Sequence, residues 1–243
     1  MSEIGSISVL LSFFISIYSL VFSIIGVKKR NRNFVKSAEN GLIAIFILLL
    51  FAGGSLIYEL VKLNFSLKYV ALNTSTDLPF IYKISSLWAG QAGSLLLWCI
   101  ILSGYTAVVV IQNKNKDRDF QPYVNATLAF ISIFFLFLIT YIENPFEKLD
   151  FVPNEGRGLN PILQNGYMAI HPLTLYIGYV GISIPFAFGM AALLSGKLND
   201  SWIKNSRKWA LFAWTFLSIG LLLGARWAYL ELGWGGYWAW DPV

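Results

Sequence analysis

His171 is the one histidine of this 243-residue chain and Cys99 its one cysteine. No multi-histidine metal site, intramolecular disulfide or Cys-x-x-Cys thiol pair can be assembled from these residues alone. A single imidazole reads first as an interfacial side chain with local hydrogen bonds, here at Met168-Ala169-Ile170-His171-Pro172, where Pro172 suits the first position of a helix. The other informative concentration is Trp234-Gly235-Gly236-Tyr237-Trp238-Ala239-Trp240-Asp241-Pro242, with four aromatic rings in seven residues. Gly235 and Gly236 allow a backbone to approach a flat ligand closely. Trp234 and Trp238 share a face if the segment is helical, Trp238 and Trp240 if it is extended. Asp241-Pro242 reads as the N-cap and first position of a further helix, so more chain is expected. The rings alone fit either an interfacial anchor or a platform for a planar molecule.

Whatever these residues do, a membrane must position them. The chain is 56% hydrophobic and 13% charged, against roughly 25% charged in a soluble domain. Apolar runs long enough to cross about 30 Å of hydrocarbon predict an all-α, polytopic bundle with six transmembrane helices near 7–27, 41–61, 93–111, 123–142, 173–194 and 210–230. The first is preceded by Glu3 and lacks a cleavage site, so it reads as a retained helix. Pro185 should kink the fifth, and Gly220-x-x-x-Gly224 gives the sixth a small-residue packing face. Residues 62–86, extended in character, and 143–171 read as outer loops. Glu59 reads as a solvated carboxylate at a helix end, with a proton relay as the lesser reading. Gly156-Arg157-Gly158 lacks the strand, later glycine and Lys-Ser/Thr of a phosphate loop.

The net charge of +5 does not indicate nucleic acid, because the basic residues are confined to short loops. The loops around 28–36, 112–122 and 195–209 hold twelve Lys and Arg, against five in the outer loops, while Arg226 lies in the last helix. The positive-inside rule therefore puts the amino terminus, the His171 loop and the tryptophan-rich segment on one outer face. Arg226, near that face, is placed either to snorkel or to pair with an anionic ligand group.

The run from Trp227 through Trp234 to Val243 resembles the tryptophan-rich "WWD" signature of haem-handling proteins of cytochrome c maturation, and is most similar to the CcmF family of haem lyase subunits. Two further stretches resemble that family: Leu87-Trp88-Ala89-Gly90-Gln91-Ala92-Gly93-Ser94-Leu95-Leu96-Leu97-Trp98, in which many relatives have an acidic residue where this chain has Ala92, and Gly158-Leu159-Asn160-Pro161-Ile162-Leu163-Gln164-Asn165 followed by Ala169-Ile170-His171-Pro172.

The resemblance implies a non-covalently held, b-type haem on the outer face, with His171 as axial ligand of the iron. Trp234, Gly235, Gly236, Trp238, Trp240 and Asp241 would form the cofactor-binding segment, and Arg226 could meet a propionate. It implies cytochrome c haem lyase activity, in which haem vinyl groups form thioethers with the cysteines of a C-x-x-C-H motif. Implied partners are a CcmE-like haem chaperone, a CcmH- or CcmI-like apocytochrome-binding subunit and apocytochrome c. The implied location is the bacterial inner membrane, with the amino terminus and tryptophan-rich segment periplasmic, or an organellar membrane if the gene is split. Family members continue for several more helices, so residues 1–230 with the segment beginning at 231 are expected to be one part of a larger protein, inactive alone. Competing readings are a CcmC- or CcsA-type haem exporter, a small-solute transporter and a structural membrane subunit without haem.

Overall fold

The first helix is built inside out. Ser8, Ser12, Ser16, Ser19 and Ser23 are buried, whereas Ile7, Leu11 and Phe14 are exposed. That pattern suits a helix whose large apolar side chains meet lipid and whose small face admits neighbouring helices closely. Ser12 and Ser16 satisfy their hydroxyls within the helix, donating to the carbonyls of Ser8 at 2.8 Å and Phe13 at 2.6 Å. In the computed structural model, which describes residues 1–114, 119–198 and 200–232, this helix is α1, Ser2–Lys28. It packs along α2, Arg32–Lys62, and α6, Gln121–Phe137, the latter prolonged by a π turn, Leu138–Ile142.

Two short helices follow α2: α3, Lys68–Asn73, and α4, Phe80–Ser85. Residues 62–86 are thus folded and not extended as their polar composition suggests. The hub is Tyr69, whose buried hydroxyl donates toward the carbonyls of Ser86 at 2.8 Å and Leu87 at 3.0 Å and accepts from the Gly90 N–H at 3.1 Å. A methyl group on Gly93 would strike that hydroxyl and the Leu87 carbonyl, so the glycines of the Trp88–Ser94 stretch make room for a tyrosine ring and a tight entry into α5, Gln91–Gln112.

The fifth crossing is divided into α7, Gly166–Gly181, and α8, Ser183–Ser195. Pro185 lacks the N–H that would bond the Gly181 carbonyl, and the chain breaks at Ile182. The sixth is α9, Asp200–Glu231. Among the described residues, six helical stretches are long and apolar enough to cross a membrane: Ser2–Lys28, Arg32–Lys62, Gln91–Gln112, Gln121–Ile142, Gly166–Ser195 and Trp202–Glu231.

At one end of the bundle the connections knit together. Lys68 pairs with Glu147 at 2.9 Å, Thr76 donates through its N–H and hydroxyl to Glu155 at 2.9 and 2.6 Å, and the N–H groups of Arg157 and Gly158 donate to the carbonyls of Ala71 and Thr74. Glu59 also lies here, and it is buried rather than solvated. Leu63 ends α2 in the left-handed region at φ 57° and turns Asn64 back, so that Asn64 Nδ2 donates to the Glu59 carboxylate at 2.8 Å.

Candidate functional site

The imidazole of His171 sits where α7 lies against α9, and small residues bring the two backbones together. A methyl on Gly220 would come within 2.9 Å of the backbone nitrogen of Leu175, and one on Gly178 within 2.8 Å of the Ala213 carbonyl. One turn further along α9, a methyl on Gly224 would lie 2.5 Å from His171 Cε1, 2.8 Å from Nδ1 and 3.0 Å from Nε2. The Gly220-x-x-x-Gly224 face therefore forms a notch that receives the half-buried ring.

That notch also fixes the ring's proton. His171 Nδ1 lies 2.7 Å from the Gly220 carbonyl oxygen, which can only accept, so Nδ1 carries the hydrogen and donates it. In the neutral ring Nε2 then keeps its lone pair and is a competent metal donor. A ligating histidine is typically oriented in this way, by a hydrogen bond from its other nitrogen.

Polar residues of the preceding stretch position the start of α7. Asn160 accepts from the Ile162 N–H at 3.1 Å and caps the short 3₁₀ turn Pro161–Leu163, while Gln164 Nε2 donates to the Leu159 carbonyl at 3.0 Å. Asn165 is the N-cap of α7: Oδ1 accepts from the Tyr167 N–H at 2.8 Å, and Nδ2 donates to Glu231 in the last turn of α9 at 2.6 Å. Trp227 Nε1 adds a bond to the Ile162 carbonyl at 3.1 Å. The 143–165 connection and the end of α9 thus share one end of the bundle with the α3–α4 region.

Pro172 falls inside α7, not at its first position, which corrects the expectation from the His-Pro pair. Asn165 already supplies a cap, and at Pro172 only the Met168 carbonyl loses a partner. His171 therefore projects from within a helix, opposite Gly224, and Gly224 precedes Glu231 by seven residues, about 10 Å of helical rise. Trp234, Gly235, Gly236, Trp238, Trp240 and Asp241 lie outside the described residues. In sequence they follow Glu231, the last residue of α9.

Residues 88–243 match the cytochrome C assembly protein family. The chain belongs to that family. It is 41% identical over 242 residues to the cytochrome c-type biogenesis protein CcmF of Pseudomonas fluorescens, covering 99% of this chain and 37% of the relative. It is 40% identical over 246 residues to CcmF of Escherichia coli strain K12, covering 100% of this chain and 38% of the relative. A solved structure of the cytochrome c haem lyase CcmF superimposes with a TM-score of 0.87 at 33% identity, covering 99% of this chain and 38% of that one. The chain thus spans less than two fifths of the length of these proteins.

In this cytochrome c assembly protein the sequence singles out the imidazole as a candidate but not its seat. Gly220 and Gly224 read as a packing face, and nothing in either helix alone gives the register that sets Gly224 against His171. Asn165 and Glu231, 66 residues apart, carry no mutual signal in one sequence. Arg226 is exposed, its guanidinium 5.5 Å from the centre of the Tyr229 ring. Such a cation–π contact leaves its donors free in the ring plane.

Proposed function

We propose that this chain is a membrane component of cytochrome c maturation that holds a non-covalent, b-type haem at the outer membrane face, as one part of a CcmF-type haem lyase. The observation that carries the reading is the Nδ1 bond of His171 to the Gly220 carbonyl, which leaves Nε2 as the free donor in a ring held by both helices.

His171 is the proposed axial ligand of the iron. The proposed cradle is the tryptophan-rich segment, to which Asp241 belongs: Trp234, Trp238 and Trp240 would supply flat apolar contact, and Gly235 and Gly236 would allow close backbone approach. When bound, haem supplies the vinyl groups that become thioethers to the cysteines of an apocytochrome C-x-x-C-H motif. The contribution of this chain is to bind and orient the macrocycle and to hold the imidazole in one tautomer, which is catalysis by positioning. A general base is not part of the proposal. A CcmE-like haem chaperone, a CcmH- or CcmI-like apocytochrome-binding subunit and the apocytochrome are the proposed partners. The charge distribution along the loops supports a periplasmic placement of this end in a bacterial inner membrane.

The test is the visible spectrum of the purified protein, with whatever further chain or subunit completes it, prepared from haem-replete cells. A Soret band is expected for the unaltered protein, and its loss or displacement in His171→Ala without change in circular dichroism. A colourless unaltered protein, or an identical band in His171→Ala, overturns the assignment.

A further inference from the structure

At the opposite end of the bundle from His171 lies a cavity of about 810 Å³ between the α1–α2 turn, the start of α6 and the end of α8. Among the described residues its charged lining comprises Lys28, Arg30, Arg32 and Lys197 with the carboxylate of Asp119. Lys197 and Asp119 pair at 3.1 Å, and Lys28, Arg30 and Arg32 around the α1–α2 turn, which make no ion pair among the described residues, line the same space. That turn is rigid. A methyl on Gly26 would come within 2.6 Å of Val35 Cγ2, and Arg30 holds φ at 51°, a left-handed conformation that a residue with a Cβ adopts only at a cost. The floor is the first turn of α6, through Pro122 and Tyr123.

Below the cavity the surface is apolar. Tyr123 lines the cavity, and Phe130, Phe134 and Phe137 continue its face of α6 toward the middle of the membrane, all exposed. Val21 and Ile24 of α1 and Leu193 and Leu194 of α8 are exposed on the flanking helices within two turns of the cavity. Cations above an apolar strip of this kind match one class of molecule, an amphiphile with an anionic head and long hydrocarbon chains.

We infer that the cavity is a binding site for an anionic phospholipid, its phosphate held by Lys28, Arg30 and Arg32 and an acyl chain laid along Tyr123, Phe130 and Phe134. A zwitterionic head brings its own cation into the cavity and is disfavoured. A free phosphate gains the ionic contacts but not the apolar strip.

The test is native mass spectrometry of the full chain in detergent, titrated separately with phosphatidylglycerol, phosphatidylcholine and inorganic phosphate. Phosphatidylglycerol is expected to bind at least tenfold more tightly than phosphatidylcholine, and phosphate alone to give no retained adduct. At about 1 kcal/mol for each basic residue near a charged lipid, Lys28→Gln with Arg32→Gln should weaken phosphatidylglycerol about 30-fold. Lys29→Gln with Lys36→Gln, which removes the same charge from the α1–α2 turn and the start of α2 but outside the cavity lining, should weaken it no more than about threefold. Equal losses in the two double variants would mean a diffuse surface effect and overturn the site. Equal affinity for the two lipids also overturns it, and needs no variant to fold. Retention of phosphate as tight as that of phosphatidylglycerol would replace the lipid with a free anion.

Discussion

His171 and Gly224 are a fitted pair: the ring fills the space that a side chain on Gly224 would take, with three ring atoms 2.5 to 3.0 Å from where a Cβ would stand. Gly224→Ala therefore has to displace the imidazole or spread the helices, at a cost of about 1–3 kcal/mol for overpacking. The expected outcome is a lower midpoint of thermal unfolding and a weakened Soret band. Gly189→Ala is the control, since nothing lies within 4 Å of its added methyl. Equal behaviour of the two variants would show that the ring has room to spare.

Asn165 ties the two helices together at one end, as the cap of α7 and as a donor to Glu231 in α9. Asn165→Ala loses both, for about 1–2 kcal/mol through the cap and a further contribution through the carboxylate contact. Glu231→Gln keeps an acceptor and should cost less than half as much. Unfolding midpoints of the two variants decide it. A Glu231→Gln protein as damaged as Asn165→Ala would mean that the interhelical bond stabilises the pair more than the cap does.

Along α1 the prediction is a reversal of the usual soluble pattern. Ser16→Leu pushes a branched side chain into a face buried against its neighbours and should cost about 1–3 kcal/mol or block assembly. Phe14→Leu, on the exposed face, should change stability by less than about 0.5 kcal/mol. Yield and thermal stability in detergent measure both. A tolerated Ser16→Leu would contradict the serine-lined packing.

Single-sequence reasoning reached the membrane crossings because each is a long apolar run, a property of one segment that needs no partner. It failed where partners decide. Glu59 looks solvated by position, yet Leu63 reverses the chain and brings Asn64 to it. Residues 62–86 look extended because their polar composition hides Tyr69, whose ring organises two carbonyls and an N–H from 17 to 21 residues away. Pro172 reads as a helix start because proline favours that position, but the cap at Asn165 lies a full turn and more upstream. His171 was legible as a candidate through its setting in a motif. Its tautomer was not, because the acceptor that sets it is a backbone carbonyl on a helix 49 residues away.

Tyr69 provides the pH-dependent prediction. Burial, the largest cause, pushes its phenol well above the ordinary value of 10.0, because a phenolate there would lose its solvation and could no longer donate to Ser86 and Leu87. The folded state therefore holds this proton more tightly than the unfolded chain does. The contribution is whole below about pH 10 and declines as pH rises beyond it, by about 1.4 kcal/mol per unit at most. Tyr69→Phe removes the ionisation and leaves the Gly90 N–H without its acceptor, so it should be less stable at pH 7 by about 1–3 kcal/mol while losing less than the unaltered protein between pH 10 and 11. Unfolding midpoints measured for both proteins across that range give the difference directly, free of the titrations they share. Parallel curves would mean that the Tyr69 hydroxyl titrates as if in water, and that the Trp88–Ser94 turn is not built around it.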